Sequence, residues 1–234
     1  MSREAYHESL DELRADVESM ANGVSAQLLA ALDALDGDDR EAARAVIDGD
    51  DREAARAVID GDDEINRRYL ALESDCVDLI ALQQPVASDL RFVAATYKIL
   101  TDLERVGDLA TNLARYALAG GSDVVAEARV RRIGETAFGQ FRDAVGVYAD
   151  ADAEACRAVA ARDDEFDAAC QHASEAVVRE LVGSEADRWD VERLLDDVSR
   201  LLLTIRDLER VGDHAVNIAA RTLYMDESDP ELIY

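Results

Sequence analysis

The heptapeptide "DLERVGD" occurs twice in this chain, at Asp102–Asp108 and again, 105 positions later, at Asp207–Asp213. The stretches that adjoin the two copies, "QQPVASDLRFVAATYKIL" and "RWDVERLLDDVSRLLLTI", have few residues in common. The chain therefore contains an internal repeat, and the seven unchanged residues are the part of it that most needs a physical reason.

Helical periodicity separates a buried face from a polar face in both copies. At 100° per residue, the apolar residues around each copy recur every three or four positions and form one seam. Glu104 and Asp108, like Glu209 and Asp213, lie about 160° away from these seams. The seam residues are Phe92, Ala95, Ile99, Leu103, Val106, Ala110, Leu113 and Ala117 in the first copy, and Leu208, Val211, Ala215 and Ile218 in the second.

The paired carboxylates predict metal binding. Like charges four residues apart repel by ~0.2–0.5 kcal/mol on an exposed helix, and a cation between them would reverse the sign of this interaction. We therefore predict Glu104 with Asp108, and Glu209 with Asp213, as metal ligands. Oxygen ligands alone suit magnesium, calcium, manganese or iron.

The glycine and the arginine of the heptapeptide have structural roles in this interpretation. Gly107 and Gly212 each cost about 1 kcal/mol relative to alanine in a helix, which indicates that space is needed for a cation, its waters or a neighbouring helix. Arg105 is expected to pair with Asp102 three residues earlier, and the same pair is expected in the second copy.

The order of the elements predicts an all-α protein of two tandem three-helix up-down-up bundles, related by a pseudo-twofold axis. "EAARAVIDGDDEIN" at 53–66 returns loosely as "EACRAVAARDDEFD" at 154–167, and "LAGGSD" separates the halves. Paired glycines end a helix and Ser or Asp can cap the next, so we place the repeats at 1–120 and 121–234. The six predicted helices cover 3–35, 62–83, 86–118, 124–160, 163–183 and 187–224.

The dodecapeptide "GDDREAARAVID" occurs at 37–48 and again, unchanged, at 49–60. Twelve residues make about 3.3 helical turns, so their insertion within one helix would rotate the apolar face that follows by about 120°. Each copy opens with Gly-Asp-Asp, which is typical of turns and N-caps. We therefore expect the extra copy to form a short helical turn in the first helix–helix connection, as a tandem duplication without a function.

Composition excludes several classes of function. The formal net charge of −27 argues against nucleic acid and against anionic lipid as direct ligands. The acid-rich balance, with Lys98 as the only lysine, is typical of a protein from a salt-loaded cytoplasm. The first twenty residues lack the apolar stretch of a signal peptide, and no window has the length of a membrane span. We therefore expect a soluble cytoplasmic protein.

Cysteine spacing and motif content argue against several chemistries. Cys76, Cys156 and Cys170 are odd in number and show no CxxC spacing, so we predict neither a disulfide framework nor a thiolate zinc site. The chain contains no GxxxxGK[ST], GxGxxG or GxSxG motif. We therefore predict no catalytic residues and no bound nucleotide or organic cofactor.

The doubled DLERVGD followed by Asn, "QQPVASDLR" before the first copy, "GDHAVNIA" at the end of the second, and the two three-helix repeats are distinctive in combination. In these features the chain resembles the PhoU family of phosphate-transport accessory proteins, over almost its whole length. The duplicated dodecapeptide departs from the family pattern. Together with the acidic composition, the resemblance suggests a member from a halophilic archaeon.

The resemblance implies a dimeric, cytoplasmic, all-α protein that acts as a negative regulator of phosphate uptake. Its partners would be the ATPase subunit of the phosphate ABC transporter, at the cytoplasmic face of the membrane, and a sensor kinase. Some members of the family carry iron or zinc clusters at E(D)xxxD motifs. Those motifs correspond here to Glu104 with Asp108 and Glu209 with Asp213.

Two other interpretations of the acidic and histidine residues are open. The protein could be a metal-independent helical scaffold whose acidic stripes hold only water and counterions. Alternatively, Glu4 and His7 have the spacing of half a di-iron carboxylate site, as in a di-metal oxidase. Neither His172 nor His214 has a glutamate three residues before it, and His214, about 100° from Asp213, is expected on the helix surface.

Overall fold

A computed structural model of the chain describes residues 3–36, 50–83, 85–119, 127–150, 152–183 and 190–233. Every regular element in these ranges is an α-helix, which confirms the predicted all-α class. Within the same ranges, no helix is long and apolar enough to cross a membrane. The helices are α1 (Arg3–Asp36), α2 (Asp50–Gln83), α3 (Ala87–Ala119), α4 (Glu127–Asp150), α5 (Ala153–Ala160), α6 (Asp163–Gly183) and α7 (Asp190–Glu227).

The second helix of the chain begins earlier than predicted. It starts at Asp50 instead of residue 62, so the second dodecapeptide copy is part of α2 almost from its first residue. Alanine-rich sequence has a high helix propensity and no proline interrupts it. The first copy, 37–48, lies outside the described residues, and so does the short turn expected there.

The predicted helix over 124–160 is interrupted. α4 ends at Asp150, and the side chain of Asp152 accepts a hydrogen bond from the backbone N–H of Ala155 at 3.0 Å, which caps α5. Between α5 and α6, the N–H of Arg162 bonds to the carbonyl of Val159, only three residues back, at 3.3 Å. This is one tightened turn, after which helical bonding resumes. α5 and α6 therefore count as one rod, and the six predicted helices correspond to six rods.

The rods pack as two sets of three that share one core. α1, α2 and α3 contact one another, and so do α4, the α5–α6 rod and α7, while α3 packs on α7 and α1 on α4. The buried apolar residues form one continuous cluster across both sets. The predicted boundary at 120/121 falls in a range that the structure does not describe, so the division into repeats stays a prediction.

The two heptapeptides lie on α3 and α7, the central pair of helices. The predicted seam residues of α7 are all in the core, and in α3 only Ala117 is less than fully buried. Period-3.6 patterning therefore predicted the buried face of both helices correctly. Burial of such a seam contributes roughly 25 cal/mol per Å² of apolar surface removed from water.

The first aspartate of each heptapeptide is buried between the two sets of helices. Asp102 accepts hydrogen bonds from His214 Nδ1 at 2.9 Å and from Asn217 Nδ2 at 3.5 Å. Asp207 accepts one from the hydroxyl of Tyr116 at 2.9 Å. A buried carboxylate is costly unless it is paired, so these bonds tie α3 to α7 at defined positions.

Two expectations about these residues are wrong. Asp102 is bonded to His214 instead of to the arginine of its own copy, and Asp207 forms its ion pair with Arg206 at 2.9 Å. His214 is buried and does not lie on the helix surface. The reason is that α3 and α7 pack on each other. A helix face that points away from its own set of three helices is therefore covered by the other central helix.

The heptapeptide glycines allow a third rod to approach closely. A Cβ atom at Gly107 would lie 3.4 Å from Ile65 Cγ2 of α2, and one at Gly212 would lie 2.7 Å from Phe166 Cε1 of α6. A neighbouring helix, one of the three uses expected for this space, is present in both repeats. The close approach places the polar face of α7 directly beside α6.

The three cysteines are buried and free. Burial, with a smaller contribution from nearby carboxylates, raises the pKa of Cys76 and of Cys170 to about 12. Both thiols are therefore protonated at neutral pH and behave as small apolar core residues.

We expect Gly212→Ala to lower the free energy of unfolding by about 1–2 kcal/mol, because the added methyl group overlaps the Phe166 ring and this strain exceeds the gain in helix propensity. Gly107→Ala is the matched control. There the nearest atom is 3.4 Å away, so stability should be unchanged or higher by up to about 1 kcal/mol. Chemical denaturation of both variants measures the difference, and equal effects would contradict the closer approach of α6.

Candidate metal centre

The acidic faces of α6 and α7 meet in a groove of the second repeat. Asp163 and Asp167, one turn apart on α6, face Asp213 on α7, and each offers a carboxylate oxygen within 4.8 Å of the other two. Glu209 lies one turn before Asp213. Burial, and then the charges of Asp167, Asp213 and Asp163, raise the pKa of its carboxyl group. Four carboxylates therefore converge on one groove.

Two of these carboxylates have a buried oxygen with no hydrogen-bond partner, Oδ1 of Asp163 and Oδ1 of Asp167. An unsatisfied buried acceptor costs about 1–3 kcal/mol, and the adjacent negative charges add repulsion. A hard cation would satisfy these oxygens and offset the repulsion in one step. The donor set, oxygen only and anionic, fits magnesium, manganese, calcium or iron.

The electrostatics of the groove agree with this fit. Burial, followed by the charges of Asp167 and Asp213, raises the pKa of Asp163 to about 6. Burial also raises the pKa of Asp213, and Asp167 adds to that shift. The raised pKa values are those expected of closely spaced, partly buried carboxylates.

The equivalent groove of the first repeat, between α2 and α3, is less acidic. Burial raises the pKa of Glu104 and of Asp108, and Asp62 on α2 contributes to both shifts. Asp62 itself accepts hydrogen bonds from Thr111 Oγ1 at 3.2 Å and from Asn66 Nδ2 at 3.3 Å. Its two oxygens are thus satisfied by the protein, and an asparagine stands where the second repeat has an aspartate.

The predicted ligands line the two grooves, where Glu104 and Glu209 are half-buried and Asp108 and Asp213 are exposed. Asp213 joins the three-carboxylate grouping with Glu209 beside it, whereas Glu104 and Asp108 face a single aspartate of α2. Across the described ranges, a grouping of three carboxylates occurs in the second repeat alone. Metal binding by these four residues stays a prediction.

Asp163 and Asp167 were not among the ligands predicted from the sequence. Their four-residue spacing was visible, but the first repeat has Asp62 and Asn66 at the matching positions, which argued against a shared metal site. The signal that could have found them is their position opposite the second heptapeptide in an antiparallel helix pair. That position follows from the contact between Phe166 and Gly212.

The structure gives no support to a di-metal oxidase. Glu4 and His7 are exposed near the start of α1, and His172 is exposed on α6. In the part of the chain that the structure describes, the metal-ligand grouping consists of aspartates and includes no histidine. The facing Glu-x-x-His pairs of such an enzyme are therefore not assembled here.

Comparison with known proteins identifies relatives over nearly the whole chain. Residues 47–117 and 130–222 match the family model of the PhoU domain. The phosphate-specific transport system accessory protein PhoU homolog of Pseudomonas putida is 31% identical over 223 residues, which are 94% of this chain and 80% of the relative. The homolog of Caulobacter vibrioides strain NA1000 is 32% identical over 218 residues, 92% of this chain and 86% of the relative.

Two solved structures share the fold. PhoU from Pseudomonas aeruginosa matches with a TM-score of 0.83 at 29% identity, covering 96% of this chain and 100% of that one. The phosphate transport system regulatory protein PhoU from Streptococcus pneumoniae matches with a TM-score of 0.79 at 25% identity, covering 96% and 98%. These relatives are bacterial, so they do not support the halophilic archaeal origin expected from the composition.

We expect the metal-free protein to become more stable as the pH falls from 7 to 5. The pKa of Asp163 is about 6 in the folded chain against an ordinary 3.8, so the folded state binds more protons and loses stability as the pH rises through 6. Asp163→Asn should flatten this dependence, and Glu165→Gln, an exposed carboxylate of the same helix, should not. Thermal unfolding in EDTA between pH 5 and 7.5 measures both, and parallel curves for the two variants would contradict the prediction.

Proposed function

Because this chain belongs to the PhoU family, we propose that it is a regulatory accessory protein of phosphate uptake and not an enzyme. The matched domain covers most of both repeats. The relatives from Pseudomonas putida and Caulobacter vibrioides are named as accessory proteins of the phosphate-specific transport system. In this proposal the chain limits phosphate uptake when phosphate is abundant.

The proposed cofactor is a metal ion held by Asp163, Asp167 and Asp213, with Glu209 as a further ligand. The observation that carries this part is the pair of buried, unpartnered oxygens opposite a third carboxylate. Iron or zinc is what the family resemblance implies, and magnesium, manganese and calcium also suit the donor set. The bound metal would add positive charge to a groove in which four carboxylates converge.

The residues of the groove give that charge a structural effect. Asp163 and Asp167 belong to α6 and Asp213 belongs to α7, so a shared cation fastens one rod to the other. A ligand that binds the folded chain stabilises it by an amount set by its concentration relative to Kd. Metal would therefore stiffen this face for contact with a partner. Glu104 and Asp108 form a second, weaker site, since Asp62 is already hydrogen-bonded.

The proposed partners lie at the cytoplasmic face of the membrane. We expect the ATPase subunit of a phosphate ABC transporter to be the first contact, and a sensor kinase to receive the same signal. The chain is proposed to act there as a cytoplasmic homodimer. The names of the relatives support the transporter as the system concerned.

A metal-independent scaffold is the second candidate, and the first repeat favours it. There Thr111 and Asn66 satisfy both oxygens of Asp62 without a metal. A helical adapter could work in the same way in both repeats if the carboxylates of α6 and α7 were bound only by water. The two candidates differ in whether metal is held at all, which can be measured directly.

We expect the purified protein, stripped with EDTA and reloaded with iron, zinc, manganese, magnesium or calcium in turn, to retain metal in the second groove. Asp163→Asn combined with Asp167→Asn should weaken binding at least tenfold in titration calorimetry, and Glu104→Gln with Asp108→Asn should weaken it less. Asp164→Asn with Glu165→Gln, exposed carboxylates of the same helix, is the control. Equally little metal in all four proteins by elemental analysis would leave only the scaffold.

Regulation can be tested in a bacterial host that lacks its own accessory protein. Expression of this chain should lower the initial rate of labelled phosphate uptake at high external phosphate, and unchanged uptake would contradict the proposed function. The Asp163→Asn, Asp167→Asn double variant should lower uptake less than the wild type. An equal decrease in the uptake rate with the double variant and with the wild type would show that regulation does not need the metal.

A further inference from the structure

The helix that carries the first heptapeptide has an exposed apolar pair on its acidic face. Val86, which directly precedes α3, and Leu90 lie 18 residues before Glu104 and Asp108 respectively. Eighteen residues are five helical turns, so each apolar residue points in the same direction as its acidic counterpart, about 27 Å away. Val86 and Leu90 are 57% and 42% exposed, so nothing in the core accounts for them.

The second repeat has the same arrangement. Val191 and Leu195 on α7 lie 18 residues before Glu209 and Asp213 and are 37% and 48% exposed. The flanking sequence of the heptapeptides has otherwise diverged, yet exposed apolar residues recur at the same offset as the heptapeptide itself. Isolated exposed apolar residues are ordinary, but a recurring group on one face is typical of an interaction site.

The partner rods extend the apolar end of each groove. Glu73 of α2 contacts Tyr97 of α3, and Ile65 lies beside Gly107, so the two helices run antiparallel and the end of α2 lies beside the start of α3. The exposed apolar residues near the ends of the partner rods are Val77 and Ile80 on α2, and Val178 and Val182 on α6. Each groove is therefore apolar at one end and acidic at the other.

The middle of the first groove is fixed by hydrogen bonds. The hydroxyl groups of Tyr69 and Tyr97 both donate to the carboxylate of Glu73, from Tyr69 at 3.1 Å. The bond from Tyr97 joins α3 to α2 between the apolar and the acidic ends, and the bond from Tyr69 holds Glu73 within α2. A groove held in this way is formed before a ligand arrives, which reduces the entropy cost of binding.

We propose that these grooves dock an amphipathic α-helix of a protein partner, with apolar residues at one end and lysines or arginines at the other. A groove of about 27 Å takes roughly 18 residues of helix, and an apolar stripe laid between two helices is a common recognition mode. Charge complementarity fixes the other end, because Glu104 and Asp108 with Asp62, and their counterparts in α6 and α7, attract a cationic segment.

The same charges argue against other occupants. A second copy of this chain also carries a formal charge of −27, and its acidic grooves would repel the acidic grooves of the first copy. An anionic lipid surface would be repelled for the same reason. Docking in the first groove does not require the metal proposed for the second groove. The docking proposal and the metal proposal can therefore fail independently.

The test uses fluorescein-labelled 20-residue helical peptides and EDTA-treated protein. One peptide has leucines on one stripe of its first half and arginines on that stripe of its second half, and another has the halves exchanged. A third has the same composition in scrambled order. Fluorescence anisotropy should show one ordered peptide binding at least tenfold more tightly than the scrambled one, with two sites per chain. Equal binding of all three would overturn the proposal.

Substitutions in the chain locate the sites. Val86→Ser with Leu90→Ser should remove one site, and Val191→Ser with Leu195→Ser the other, with unchanged circular dichroism because these residues are exposed. Leu29→Ser, at a leucine of α1 that is 44% exposed, is the control and should leave both sites intact. Equal losses in the control would overturn the proposal. So would light scattering that shows a wild-type dimer dissociated by the groove substitutions, since a second copy would then be the occupant.

Discussion

The contact between Phe166 and the bare backbone at Gly212 is the constraint on which the second repeat depends. With any side chain at residue 212, α6 could not lie where it does, because a Cβ atom would come within 2.7 Å of the ring. The proximity brings Asp163 and Asp167, which flank Phe166 on the helix, to the carboxylate that follows the glycine. The close packing of α6 on α7 and the grouping of three carboxylates therefore both depend on the absence of a side chain at residue 212.

The two repeats use this geometry differently. In the first repeat, Ile65 packs less tightly on Gly107. Thr111 and Asn66 donate hydrogen bonds to the two carboxylate oxygens of Asp62. In the second, Oδ1 of Asp163 and Oδ1 of Asp167 are buried without a hydrogen-bond partner in the protein. Buried polar groups in native proteins are normally paired. The two halves therefore differ in how far the protein itself supplies hydrogen-bond donors to the groove.

Much of the fold could be predicted from the sequence, because the spacing of apolar residues is a local property of a helix. The seams of α3 and α7 followed from the 3.6-residue period alone. A helical wheel reports direction only within its own helix, and it does not show which other rod will cover the opposite face. For that reason the carboxylates of α6 were not expected opposite that of Asp213, and His214 was not expected beside Asp102. The cap at Asp152 was missed because a single aspartate within helical periodicity is a weak signal.

The hydrogen bonds that cross between the repeats limit how the chain can diverge over generations. Asp102 depends on a histidine 112 positions away, and Asp207 on a tyrosine 91 positions away. Loss of either donor would remove one of the hydrogen bonds of a buried carboxylate and leave Asp102 with Asn217 and Asp207 with Arg206, so the residues of each linked pair are energetically coupled. The flanking sequences of the two repeats can therefore diverge, whereas the residues of each linked pair are expected to change together. The two pairs are not equivalent, because the donor is a histidine of α7 in one and a tyrosine of α3 in the other.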